Sequence, residues 1–242
     1  MKQTALLAGA YLHHLCFESP NPEKLSDFYG KIMQMKPQSI GANAWLCSGK
    51  NRQILIKEGM KNRLEFAAFS CRDEGGLNLL KERVKEEGIE VINLQPDLFQ
   101  NDAISIVDQD GHNISFGLSK PNMNAESVLN GPLQHLTFST LNVEKFVDFY
   151  VGKLGFCISD RVLHSNGNLA TCFVRSNHEH HTLACFKSDR IGVDHHSYEA
   201  GEWNAIRDWC DHFASMNIEL MWGPGRHGPG NNLFVFVEDP DG

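Results

Sequence analysis

Hydrophobic and polar positions along the chain switch between a strand period and a helix period in a fixed order. Residues 12–17 form a short apolar run that reads as a strand. A helix is predicted from Asn21-Pro22-Glu23, with Asn as N-cap and Pro in the first turn. Strands are predicted over 44–47, 53–57 and 64–70. Leu77, Leu80 and Val84 then recur at helical spacing among Lys and Glu residues, predicting a helix over 76–87 that stops at Gly88. Strands follow over 91–94, 103–107 and 113–118. The second half replays this order: a strand over 134–139, a helix over 143–153, and strands over 156–163, 170–175 and 182–186. A strand over 195–198 leads to a helix over 203–216 with Ile206, Trp209, Cys210 and Phe213 on one face, and a strand over 233–237 ends the pattern. The recurring unit is βαβββ, which predicts an α+β fold.

The replay extends to residue identities. His14-Leu15-Cys16-Phe17, Glu23-Lys24-Leu25 and Asp27-Phe28-Tyr29 return about 120 residues later as His135-Leu136-Thr137-Phe138, Glu144-Lys145-Phe146 and Asp148-Phe149-Tyr150. The chain is thus expected to hold two tandem domains, 1–120 and 127–242. The polar, Pro-containing Lys120-Pro121-Asn122-Met123-Asn124-Ala125-Glu126 lies between them. In the first half Val107-Asp108-Gln109-Asp110-Gly111 runs into the alternating strand His112-Asn113-Ile114-Ser115-Phe116-Gly117. Its counterpart Glu238-Asp239-Pro240-Asp241-Gly242 ends the sequence, so the last strand of the second domain is expected to be missing.

Composition narrows the function. The 242 residues are 41% hydrophobic, enough for cores of ordinary size. A net charge of -8 and the lack of a Lys/Arg-rich run argue against nucleic acid or an anionic membrane as partner. Seven scattered cysteines, none spaced Cys-x-x-Cys, read as reduced structural thiols. Thr4-Ala5-Leu6-Leu7-Ala8-Gly9-Ala10 faintly resembles a signal peptide but runs into the first repeat as a strand, and the expected location is cytoplasmic.

Twelve histidines are unevenly spread: only His13, His14 and His112 lie in the first half. Imidazoles on neighbouring strands of one curved sheet suit a divalent first-row metal. Two such histidines with one carboxylate would form the facial site of a non-haem iron oxygenase, but no strand carboxylate of the second half matches His135 and His196 in position. The cluster of His178 and His180 reads as solvated loop, His195 as a satisfied or exposed neighbour, and His14 as a relic of duplication. Gly223 to Gly230 reads as a surface turn with no strand-loop-helix context for a phosphate cradle.

Five stretches, in order, carry a resemblance: Leu133-Gln134-His135-Leu136-Thr137-Phe138, His180-His181-Thr182-Leu183-Ala184, Asp194-His195-His196-Ser197-Tyr198, Gly225-Arg226-His227-Gly228-Pro229-Gly230-Asn231-Asn232, and Phe234-Val235-Phe236-Val237-Glu238-Asp239-Pro240-Asp241-Gly242. Together they resemble the type I extradiol ring-cleaving dioxygenases of the vicinal oxygen chelate superfamily. The resemblance implies two βαβββ modules per domain, forming a curved mixed sheet around a central cavity, with chemistry confined to the second domain. It makes His135 and His196 iron ligands, with a Glu beyond Gly242 as the third. Without that Glu, the chain ending at Gly242 is expected to bind metal poorly and to be nearly inactive. His181 would be the acid/base for oxygen intermediates, and His227 would hydrogen-bond the substrate hydroxyl or the bound oxygen. Phe173, Thr137 and Phe236 would line the substrate pocket, with Phe236 where many relatives have a Tyr. The cofactor implied is Fe(II), with Mn(II) as alternative. The partners implied are a small aromatic diol and O2, and the assembly a homo-oligomer. A glyoxalase-type metalloenzyme, a ligand-binding member without catalysis and a degenerate paralogue remain open alternatives.

Overall fold

A computed structural model describes residues 3–120, 129 and 131–242. The predicted boundary over 120–126 falls, after Lys120, outside the described residues. The first half runs α1 (Thr4–Ala8), β1 (Tyr11–Ser19), α2 (Pro22–Lys31), β2 (Lys36–Gly41), β3 (Ala44–Gly49), β4 (Arg52–Glu58), β5 (Arg63–Ser70), α3 (Glu74–Glu86), β6 (Val91–Ile92), β7 (Ile104–Val107) and β8 (Asn113–Gly117). The second runs β9 (Leu133–Thr140), α4 (Val143–Val147), a π-helical turn (Asp148–Lys153), β10 (Cys157–Leu163), β11 (Leu169–Arg175), β12 (Leu183–Lys187), β13 (Gly192–Tyr198), α5 (Trp203–Ser215), β14 (Trp222–Arg226), a short 3-10 turn and β15 (Leu233–Phe236).

The βαβββ repeat is visible in strand order. Within each of three modules the fourth strand lies beside the first: β2-β3-β4-β1, β6-β7-β8-β5 and β10-β11-β12-β9. The closing pairs β5/β8 and β9/β12 are parallel while the hairpin pairs are antiparallel, so the sheets are mixed. The module helices start where the sequence marks them. Asn21 Oδ1 accepts the Lys24 N–H at 3.0 Å, and its repeat counterpart Asn142 accepts from Lys145 at 2.9 Å.

By contacts the chain divides into two compact units, each drawn from both sequence halves: Met1–Leu15, Leu64–Asn122 and Gln134–Ser197 in one, and Cys16–Arg63, Met123–Leu133 and Tyr198–Gly242 in the other. In the first unit, residues 4–8 form helix α1 and not the expected strand. Gly9 closes it in the left-handed conformation (φ 59), and the Ala5 N–H reaches the Leu154 carbonyl. Helix α3 packs on α1 so closely that a Cβ on Gly76 would lie 2.8 Å from the Ala8 carbonyl oxygen. Tyr150 is fully buried and donates to Asp108 Oδ2 at 2.9 Å.

The second unit repeats that bond with the halves exchanged: Tyr29, also buried, donates to Asp239 Oδ2 at 3.0 Å. Each tyrosine of the repeated Asp-Phe-Tyr therefore anchors the Asp-containing turn of the other half. Arg52 is fully buried here, donating to the carbonyls of Gly131 and Gln34 and lying over the rings of Tyr198 and Trp209. Helix α5 buries Ile206, Trp209 and Phe213. The Gly/Pro-rich stretch read as a surface turn contains β14, which pairs antiparallel with β15. Five cysteines are buried, in keeping with structural thiols. No helix among the described residues is long and apolar enough to cross a membrane.

Candidate metal centre

The site is built on β9, which is buried along its whole length because β12 and β13 flank it. Pleat alternation sends Leu136 and Phe138 to one face and His135, Thr137 and Ser139 to the other. The first face is apolar: Leu136, Phe138, Leu183, Cys185, Cys172 and Val174 are buried, and α4 packs against β11 and β12. Strand register extends the second face. Thr137 lies beside Ala184, which lies beside Phe173, and Ser139 lies beside Phe186. The predicted residues His135, Thr137 and Phe173 thus share one surface.

Hydrogen bonds hold two imidazoles on that surface and fix the tautomer of the first. Glu179 Oε2 accepts from Gln134 Nε2 at 2.9 Å, which leaves Gln134 Oε1 facing His135 Nδ1 at 2.8 Å. An amide oxygen only accepts, so His135 Nδ1 carries the proton and Nε2 the lone pair. His195 Nδ1 lies 2.7 Å from Asp194 Oδ1, and the bond to His195 holds the Asp194 carboxyl below its ordinary pKa. That bond leaves Nε2 as the His195 nitrogen turned toward His135. The two Nε2 atoms lie 3.3 Å apart. A proton or a metal ion between them would join the two nitrogens. Metal–nitrogen bonds of about 2.1 Å meeting at roughly 90–110° would hold two nitrogens roughly 3.0–3.4 Å apart, so the pair fits two ligands of a first-row metal. Among the described residues no group of three or more His, Cys, Asp or Glu is arranged to hold an ion.

The imidazole set against His135 is His195, where the resemblance names His196. Adjacent strand residues turn to opposite faces, which gives the physical reason. His196 is half-buried, and burial, aided by the neighbouring His195, lowers its pKa to about 4.

His181 joins the pair. It is buried, its ring centroid lies 4.1 Å from that of His135, and its Nδ1 lies 3.0 Å from His180 Nδ1. His180 Nε2 in turn lies 3.4 Å from Asp160 Oδ2, so a chain of polar groups leads from His181 to a carboxylate open to solvent. His180 lies in the loop between β11 and β12 and is a bonded link there. Phe173 presents its ring edge-on to His181, with centroids 5.1 Å apart, and Phe186 stands against Phe173 and His195. Phe186 was missed in the sequence because a single aromatic on a predicted strand reads as core. Thr137 Oγ1 is buried without a hydrogen-bond partner among the described residues, a vacancy that suits a polar ligand atom.

His227 and Phe236 belong to the second unit, where they form an aromatic group with Trp222 and Phe234. His227 stacks on Phe234 with centroids 3.9 Å apart and planes at 11°, and Trp222 pairs in register with Phe236. His14, the repeat counterpart of His135, is fully buried against Phe66 and Phe99, and burial pushes its pKa well down.

Residues 133–242 match the Glyoxalase/Bleomycin resistance protein/Dioxygenase superfamily. Metapyrocatechase 2 of Cupriavidus necator is 24% identical over 257 residues, covering 96% of this chain and 78% of that protein. Among solved structures, homoprotocatechuate 2,3-dioxygenase from Arthrobacter globiformis superposes with a TM-score of 0.79 at 18% identity, covering 96% of this chain and 77% of that one. The halotolerant catechol dioxygenase BphC gives 0.82 at 15% identity, covering 95% and 83%. At these identities the structural likeness establishes a shared fold.

Proposed function

We propose, from the match of residues 133–242 to the glyoxalase/bleomycin resistance protein/dioxygenase superfamily, that the protein is an extradiol dioxygenase that opens the ring of a catechol-type diol with O2 at a non-haem metal, Fe(II) before Mn(II). The catalytic half is 127–242, and 1–120 is its non-catalytic duplicate. The observation that carries this reading is the approach of His135 Nε2 and His195 Nε2 to 3.3 Å. His135 is proposed as the first ligand and His195, whose Nε2 lies 3.3 Å from His135 Nε2, as the second, with His196, the residue the resemblance names, as the alternative. A bound ferrous ion would supply the template and electron path between diol and dioxygen.

The chain's own groups do the rest. Phe173 and Phe186 form an apolar wall for an aromatic ring, and the buried Thr137 hydroxyl offers a hydrogen bond to one diol oxygen. His181 is placed to hold or move a proton at its ring nitrogens, and His180 and Asp160 connect it to solvent. Phe236 brings no hydroxyl, so the donor a Tyr would supply there is absent. The assembly is proposed to be a homo-oligomer.

The test uses the full-length gene product loaded with Fe(II) under argon, given catechol and then air. The expected result is a yellow semialdehyde product and O2 uptake in a 1:1 ratio, both lost in His135→Ala. Catechol turnover unchanged by His135→Ala would overturn the proposal.

A further inference from the structure

We infer that Glu179 is a positioning residue that sets the tautomer of His135 through the amide of Gln134, and so decides whether Nε2 has a lone pair to give. The inference rests on the metal reading only for its consequence.

Each step follows from which groups donate and which accept. A carboxylate only accepts, so Glu179 Oε2, 2.9 Å from Gln134 Nε2, selects the amide orientation that turns NH2 toward it. That orientation leaves Oε1 on the His135 side, 2.8 Å from Nδ1. The oxygen then requires a proton on Nδ1, which moves the lone pair to Nε2, the atom that faces His195. Reversing the first link would reverse the last.

The position of Glu179 is itself held. Its backbone N–H donates to Asn177 Oδ1 at 2.9 Å, and its other carboxylate oxygen lies 3.3 Å from His178 Nε2. The histidine-rich loop read as solvated thus delivers a negative charge two hydrogen bonds from the candidate ligand. Charge at that distance also polarises the amide and makes the imidazole a stronger donor to a metal. Asp194 does the same for His195 with no intermediary. The two imidazoles are held by different devices, one direct and one relayed.

The experiment reads the tautomer without metal. Long-range 1H–15N spectra of the metal-free protein assign the His135 ring nitrogens in the wild type, in Glu179→Lys, in Gln134→Leu and in the exchanged pair Gln134→Glu with Glu179→Gln. Wild type is expected to show Nδ1–H. A Lys ammonium only donates, so Glu179→Lys should turn the amide and give Nε2–H. The exchanged pair places a carboxylate directly on Nδ1 and should restore Nδ1–H, a rescue that a merely structural role would not produce. Co(II) titrations of the same proteins should show affinity about 10–100-fold weaker in Glu179→Lys and Gln134→Leu, and recovery in the exchanged pair. Nε2–H in the wild type, or Nδ1–H persisting in Glu179→Lys, would overturn the inference. Nδ1–H in the wild type with no Co(II) bound would sustain the inference and defeat the metal assignment alone.

Discussion

Removing the hydroxyl of Tyr150 should destabilise the protein well out of proportion to the single atom lost. In Tyr150→Phe the ring keeps its packing, so no large cavity opens. Asp108 Oδ2 loses the donor at 2.9 Å, while Oδ1 keeps the backbone N–H groups of Asp110 and His112 at 2.9 and 2.8 Å. A hydrogen bond to a charged group contributes about 1.5–3 kcal/mol, so a loss of about 2 kcal/mol is expected. For a chain of this size that corresponds to a fall in Tm of about 4–8 °C. Asp108→Asn removes a charge that burial disfavours and can still bond the phenol, so it should lie within about 1 kcal/mol of wild type. In that background Tyr150→Phe should cost about half as much, because the bond lost is between neutral groups. Tyr29→Phe against Asp239 is the matched experiment. All four tryptophans lie in the unit that contains Tyr29, so urea unfolding followed by Trp fluorescence should report Tyr29→Phe, while far-UV circular dichroism is needed for Tyr150→Phe. A Tyr150→Phe protein within about 0.5 kcal/mol of wild type, or an equal cost in the Asp108→Asn background, would refute the reasoning.

Further outcomes follow from other buried groups. Burial raises the pKa of Asp108 and of Asp239, so the folded state binds more protons than the unfolded chain between the ordinary value of 3.8 and the raised one. Their contribution to stability therefore falls as pH rises through the folded pKa, and the stability difference between wild type and Asp108→Asn should move in favour of wild type on acidification from pH 7 toward pH about 4. His13, lowered to about 4 by burial, acts in the opposite direction: stability is lost as pH falls from its ordinary 6.5. Arg52→Ala should cost about 3 kcal/mol or more through lost packing on Tyr198 and Trp209 and the two carbonyls left unpaired, measured by the same fluorescence transition. Thr137→Val, which keeps the shape and removes the unpartnered hydroxyl, should leave stability unchanged or slightly raised and weaken catechol binding to the Fe(II) protein several-fold; unchanged binding would remove Thr137 from the substrate site.

Most of the module order is legible in the sequence because each element declares itself locally. Asn21 and Asn142 cap their helices, and β9 follows the apolar pattern around His135. The failures have physical causes. Strand β2 is exposed at all six residues and so lacks the alternation that marks a half-buried strand. Residues 4–8 are apolar and short, a pattern that suits strand or helix until Gly9 closes the turn. Helix α4 gives way to a π turn, where the Leu154 N–H reaches Phe149 five residues back, a choice made by tertiary packing. The Tyr29–Asp239 and Tyr150–Asp108 bonds join residues 210 and 42 positions apart, which no local pattern encodes. In the site, the resemblance names His135, His181, Phe173 and Thr137, which the fold brings to one region. His195, Gln134 and Glu179 were passed over, although Asp194 beside His195 was a usable sign, since a carboxylate next to a strand histidine can fix its tautomer.

The central claim is that His135 and an imidazole of β13 share a cation. The most direct measurement is the Co(II) dissociation constant of the full-length protein and of His135→Ala, His195→Ala and His196→Ala, with the visible Co(II) spectrum recorded for each. The account predicts that His135→Ala and His195→Ala each weaken binding at least tenfold and alter the spectrum, while His196→Ala does neither. Equal affinity and spectrum in wild type and His135→Ala would contradict it.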